Sequence, residues 1–172
     1  VIMKHLVLGG VRSGKSQYAQ SCIAKIQPSV VYVATSQAWD DEMQARIQRH
    51  QDNRPNHWQL VEEPLYLAQA LQTYNQVGKA VIVECLTLWL SNLLCQEDEA
   101  LFSQQRAALL ALLADFQGDL VLVSSEVGQG IMPMNPLARR FADEAGLLNQ
   151  AIAALCERVT LVCAGLPMEL KR

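Results

Sequence analysis

The sequence predicts an α/β fold: a doubly wound, mostly parallel sheet with helices on both faces. Three observations carry this. Short apolar runs rich in β-branched residues recur along the chain and are continuous rather than alternating, as strands covered on both sides require. Segments with helical spacing separate them. The first run, Leu6-Val7-Leu8, leads directly into Gly9-Gly10-Val11-Arg12-Ser13-Gly14-Lys15-Ser16, which fits the phosphate-binding P-loop pattern G-x-x-x-x-G-K-[ST].

In chain order, the expected strands are residues 6–8, 30–33, 81–83, 120–123 and 159–162, with 58–61 a weaker candidate. The first expected helix, 16–26, follows the glycine-rich loop, and the next, 40–51, has an acidic first turn. Pro64 is placed to open a helix carrying Leu67, Leu71 and Tyr74. Residues 87–94 read as a short helix and 100–116 as a long Leu-rich one, with 96–99 a surface loop between them. Leu137, Phe141, Ala145, Leu148, Ile152 and Leu155 step by three or four along a last helix. No repeat, low-complexity tract or linker divides the chain, so residues 1–172 read as a single domain.

Composition narrows the function. Hydrophobic residues make up 51% and charged residues 18% of the 172, which fits a globular chain. A net charge of −3 gives no general attraction to nucleic acid, so affinity for anions has to be local. No apolar run is long enough to cross a bilayer. A strand begins almost at the start, so no signal peptide is expected and the cytoplasm is the expected location. The five cysteines form no C-x-x-C; they read as buried free thiols in a reducing compartment rather than a zinc site.

The strand ends carry the chemistry. Open α/β sheets bind ligands at the carboxyl ends of their strands, and here those ends are polar. The P-loop glycines let backbone N–H groups turn toward a polyphosphate. Lys15 supplies a positive charge, and Ser16 offers a hydroxyl to Mg²⁺ at a helix N-terminus. The second strand ends in Ala34-Thr35-Ser36, whose hydroxyls are candidate nucleotide contacts. The third ends in Glu84, in the position of a Walker B acid that either holds Mg²⁺ or takes a proton from an attacking hydroxyl. Beyond the fourth, Ser124-Ser125-Glu126 opens a loop with Gly128 and Gly130. Arg139 and Asp143 stand at i, i+4 spacing further on.

Residues 46–55 are the second unusual segment. Arg46 and His50 are four apart on a helix and share a face, Arg49 and Arg54 add charge, and Met43 with Ile47 forms a separate apolar pair. Guanidiniums would hold a triphosphate and disfavour protonation of the imidazole, leaving it a nucleophile toward phosphorus. A solvated helix face with Glu42 paired to Arg46 explains the same spacing. His5, at the edge of the first strand, and His57, in a loop, have no partner in sequence and read as structural.

Taken together, the P-loop, Tyr32-Val33-Ala34-Thr35-Ser36 with Asp40-Asp41-Glu42-Met43, the Arg46 to Pro55 segment, Glu84-Cys85-Leu86-Thr87-Leu88-Trp89-Leu90-Ser91-Asn92-Leu93-Leu94, and Glu126-Val127-Gly128-Gln129-Gly130-Ile131-Met132-Pro133 through Asn149-Gln150 resemble one family over nearly the whole chain. It is the bifunctional adenosylcobinamide kinase/adenosylcobinamide-phosphate guanylyltransferase family of cobalamin biosynthesis. The resemblance implies a RecA-like P-loop NTPase fold. It implies phosphorylation of adenosylcobinamide by a nucleoside triphosphate (GTP or ATP), then transfer of GMP from GTP to that phosphate through a guanylyl-histidine. His50 falls at the matching position. It further implies Mg²⁺, a corrinoid substrate and a homotrimer with sites at subunit interfaces. Ser125 departs from the pattern, in which Asn is common before Glu-Val-Gly.

The site expected on these grounds comprises His50, Lys15 and Glu84 as catalytic groups. Gly9, Gly10, Val11, Arg12, Ser13, Gly14, Ser16, Thr35, Ser36, Arg46, Arg49 and Arg54 join Lys15 and Glu84 around the nucleotide, and Ser16 and Glu84 hold metal. Attack at the α- and γ-phosphorus needs different placements, so movement of the His50 helix about Asp52-Asn53-Arg54-Pro55 is a further expectation. No N-K-x-D motif reads guanine. A small-molecule kinase with a structural His50, or a nucleotide-gated assembly module, are the rival readings.

Overall fold

The computed structural model describes residues 3–172. Seven strands, β1 (Lys4–Gly9), β2 (Val31–Ala34), β3 (Gln59–Glu62), β4 (Ala80–Glu84), β5 (Asp119–Ser125), β6 (Arg158–Cys163) and β7 (Leu166–Lys171), form one sheet in the order β3-β2-β4-β5-β1-β6-β7. All neighbours are parallel except β6 and β7. The six helices are α1 (Lys15–Ile26), α2 (Asp41–Asp52), α3 (Leu67–Gln72), α4 (Leu86–Leu94), α5 (Glu99–Ala114) and α6 (Pro136–Leu155).

The continuous apolar runs divide between the two faces, because successive strand side chains point opposite ways. Leu6 and Leu8, Val31 and Val33, Val81 and Val83, and Leu120 and Leu122 face a large core shared with α3, α4, α5 and α6. Val7, Tyr32, Ile82, Val121 and Val123 face a smaller core closed by Ala19 and Ile23 of α1. The helices are thus unevenly shared, and α2 buries no residue at all.

Local signals place the boundaries. Asp40 caps α2 by accepting from the Met43 N–H at 2.7 Å, Asp98 caps α5, and Asn135 caps α6 with Pro136 in the first turn. The α5 cap makes Glu99 helical rather than part of the expected loop. The helix expected from Pro64 starts only at Leu67: Glu63 Oε2 accepts from the N–H groups of Leu65 and Tyr66, holding the chain in a turn first.

Other expectations need correction. β7 was not anticipated; Ala164 and Gly165, both at positive φ, turn β6 back on itself in a two-residue hairpin. His5 is not at a strand edge but fully buried inside β1, its Nε2 within 2.8 Å of Thr160 Oγ1. That burial drives its pKa down to about 4, with Arg158 adding to the effect. Arg139 does not pair with Asp143; it donates to the Met134 carbonyl at 2.6 Å, and Arg140 pairs with Glu99 instead. All five cysteines are free, but only Cys85 and Cys156 are buried, while Cys95 and Cys163 are exposed.

Candidate active site

The P-loop leaves the carboxyl end of β1, at the centre of the sheet between β5 and β6. Its glycines answer to distinct constraints. A Cβ on Gly9 would lie 2.4 Å from Ser13 Oγ and 2.8 Å from the Val162 carbonyl, so the loop closes only over a bare Cα. Gly14 has φ +91° at the N-cap of α1. Arg12 also has positive φ. Arg12 and Val11 are exposed at the tip, and Ser13 is buried beneath it. The Gly165 N–H donates to the Ser13 carbonyl at 2.7 Å, so the β6–β7 hairpin buttresses the loop. Lys15 folds back over the loop and its Nζ donates to the Gly10 carbonyl at 3.2 Å. A cation in that position meets the outer phosphates of a nucleotide cradled by the loop.

Beside the loop, the Ser16 hydroxyl donates to Glu84 Oε1 at the end of β4. Burial raises the Glu84 carboxyl to about 7, against the lowering effects of the Ser16 hydrogen bond and the Lys15 charge. Its Oε2 is buried with no partner among the described residues. An orphaned carboxylate oxygen next to a hydroxyl, at the foot of a phosphate loop, fits a hard divalent cation such as Mg²⁺. No cluster of three or more His, Cys, Asp or Glu side chains occurs among the described residues, so phosphate oxygens and water would complete the shell.

Thr35 does not face the cleft. It is fully buried, its Oγ1 donating to the Cys85 carbonyl at 2.6 Å and accepting from the Cys85 N–H at 2.9 Å. Both capacities of the hydroxyl are used, so it fixes the chain just after Glu84. Ser36, next on the loop, is half-buried. Asn92 of α4, also buried, donates to the carbonyls of Thr35 and Pro64 at 2.7 and 3.1 Å. Thr87 Oγ1 accepts from the Ser125 N–H at 2.6 Å, and the Ser124 hydroxyl donates to Asn149 Oδ1 at 2.7 Å. Thr35, Cys85, Thr87, Asn92 and Asn149 lie in the segments that carried the family resemblance. Their role in shaping strand ends follows from pairings that linear order does not reveal.

The α2 helix brings its last turn toward the loop. His50 is exposed, yet its pKa lies below the ordinary 6.5: partial desolvation comes first, then the charges of Lys15 and Arg49. The field of Lys15 at this imidazole links the helix end to the phosphate cradle. Arg46 pairs with Glu42 at 2.8 Å, the i, i+4 arrangement of a solvated face, and Arg49 Nε donates to the Ala45 carbonyl at 3.3 Å. Arg54, just past the helix, lies with its Cζ 5.2 Å from the centre of the Tyr32 ring. Its Nε and Nη1 are buried and have no partner among the described residues. Two inward donors on a fixed cation suit an anionic ligand. His57 stays in its loop, within 3.0 Å of the Pro28 carbonyl.

A phosphate loop after β1, an acid at the end of β4 one strand away and a mostly parallel sheet define a P-loop nucleotide-binding protein. Comparison with known proteins narrows this. Residues 5–170 match the model of the family described as cobinamide kinase / cobinamide phosphate guanyltransferase, and the chain belongs to that family. It is 50% identical over 169 residues to the "bifunctional adenosylcobalamin biosynthesis protein CobP" of Pseudomonas aeruginosa, covering 98% of each chain. Against the proteins named CobU of Salmonella typhimurium and Escherichia coli, identity is 40% and 38% over 182 residues, covering 98% of this chain and all of theirs. Among solved structures, a prototypical ATPase from the type III secretion system of pathogenic bacteria matches with TM-score 0.54 and 8% identity. That match spans 92% of this chain and 50% of the other and shows shared fold alone. No described helix is long and apolar enough to cross a membrane.

Proposed function

We propose that this chain phosphorylates adenosylcobinamide and then transfers GMP from GTP to the resulting phosphate, with His50 as the covalent carrier. The observation that carries the covalent route is the imidazole at the end of α2, kept neutral by desolvation and by the charge of Lys15. Neutral Nε2 or Nδ1 has the lone pair that attack on phosphorus requires.

In guanylylation, the P-loop amides and Lys15 hold the phosphates that leave as pyrophosphate. The imidazole nitrogen forms a P–N bond at the α-phosphorus while the α–β P–O bond breaks. An oxygen of cobinamide phosphate then displaces the imidazole, giving adenosylcobinamide-GDP and free His50. The open donors of Arg54, with Arg46 and Arg49 on α2, would offset charge on the equatorial oxygens. In the kinase step the same loop presents the γ-phosphoryl of GTP or ATP to the cobinamide hydroxyl, and Glu84 accepts its proton or binds metal. Mg²⁺, held by Ser16 and Glu84, would supply charge neutralisation on the phosphates. Because α2 buries no residue, it is free to move between these placements at little cost in packing. A homotrimer working in the cytoplasm belongs to the same reading.

Intact-mass analysis after incubation with GTP tests it. The wild type gains one GMP, stable to alkali and labile to acid, and His50→Asn gains none while keeping its fold. A wild type that stays unlabelled yet phosphorylates cobinamide is a simple P-loop kinase.

A further inference from the structure

The segment between β5 and α6, residues 126–135, is fixed at both ends and bare between them. The Glu126 N–H donates to the carbonyl of Gly9 at 3.0 Å, so the segment starts on the P-loop itself. At the far end Arg139 Nη1 holds the Met134 carbonyl at 2.6 Å, and Asn135 caps α6. The crest between carries no charged side chain from Val127 to Leu137. Ile131 is 98% and Met134 93% exposed, and Met132 stands out beside them. A soluble chain gains nothing by holding large apolar side chains in water, and such patches mark contact surfaces. An uncharged apolar crest does not serve a polyanion, although it adjoins the loop that does.

We propose that this crest is the docking surface for the macrocycle of the corrinoid acceptor. The inference rests on the function proposed above and adds the place where the acceptor sits. An acceptor whose hydroxyl or phosphate hangs on a flexible arm needs its bulk held outside the phosphate cradle, one arm's reach away. A corrin ring presents methyl groups and carboxamide arms around its rim. Ile131, Met132 and Met134 match the methyl groups, and methionine adapts to an irregular contour. The Gln129 amide and the free backbone groups of the crest match the carboxamides. Continuity with the P-loop through Glu126 and Gly9 places this surface beside the reacting phosphates.

The test compares the wild type with the double variant Ile131→Ser, Met134→Ser; both positions are exposed, so no core is disturbed. Four readouts are needed: equilibrium dialysis of cobinamide, the KM for cobinamide phosphate, GMP loading of His50 from GTP alone, and the sedimentation coefficient of each protein. The proposal expects cobinamide affinity to fall, and KM to rise, by about tenfold or more, with GMP loading and sedimentation unchanged. Unchanged affinity for cobinamide overturns it. So does a change in association state, which would make the crest a contact between copies of this chain. Dialysis requires no turnover. Failure of the wild type to load GMP therefore overturns the covalent route and leaves the docking result to be read separately.

Discussion

Lys15 and Glu84 share a cleft and make different contacts in it. Lys15 lies over the loop with its ammonium on the Gly10 carbonyl, a bond that the proposed function has it exchange for phosphate oxygens. Charged hydrogen bonds of this kind contribute about 1.5–3 kcal/mol, so Lys15→Ala should weaken GTP binding by roughly 10–100-fold. Calorimetric titration reads this directly, and unchanged affinity would remove Lys15 from the site. Glu84 is a carboxyl that burial keeps protonated up to about pH 7. Its folded pKa lies above the 4.5 of the unfolded chain, so the folded state loses stability as pH rises from 4.5 through about 7, and the loss is complete above that. In metal- and nucleotide-free protein, Glu84→Gln should therefore raise stability at pH 8 by about 1–3 kcal/mol and change little at pH 5. Denaturant unfolding at the two pH values checks the sign. A variant less stable at pH 8 would mean that the ionised carboxylate is held by a partner in the fold.

Among the elements, α2 is the one whose integrity matters to chemistry but not to the core. It buries no residue, and its N-terminus is held by Asp40. Asp40→Ala should cost about 1 kcal/mol, confined to this helix. The global unfolding transition should stay in place while GMP loading of His50 slows severalfold; a large drop in global stability would show that α2 is coupled to the core after all. The elements also differ in how far sequence alone reveals them. The β1–loop–α1 unit is legible because glycine spacing, lysine and hydroxyl are each demanded locally. Glu84 is legible as an acid ending an apolar run. The bond that Thr35 makes is not legible, because its partner, Cys85, lies 50 residues away and only the β2–β4 pairing joins them. β7 escapes because Leu166, Met168 and Leu170 alternate on an exposed edge interrupted by Pro167, a weak strand signal. His50 has its sequence neighbours right, but the charge that matters most among its surroundings, Lys15, comes from another element.

At the scale of the whole molecule, the end of α2 and the end of β4 carry two titrating groups whose pKa values burial shifts in opposite directions. Desolvation disfavours the charged form of each: it lowers the imidazole of His50 and raises the carboxyl of Glu84 to about 7. In the proposed function the reactive forms are neutral His50, present above its lowered pKa, and ionised Glu84, present above about 7. The two half-reactions should therefore respond differently to acid. Between pH 8 and pH 6 the ionised fraction of a group titrating near 7 falls about tenfold, while an imidazole whose pKa is lowered keeps more of its neutral form than an ordinary histidine would. Single-turnover phosphorylation of cobinamide should fall by about that factor over this range, and GMP loading of His50 by less. Glu84→Gln should flatten the first profile. Parallel profiles for the two reactions would mean that one group limits both, and Glu84 would then act on the nucleotide common to both steps rather than on the acceptor's proton.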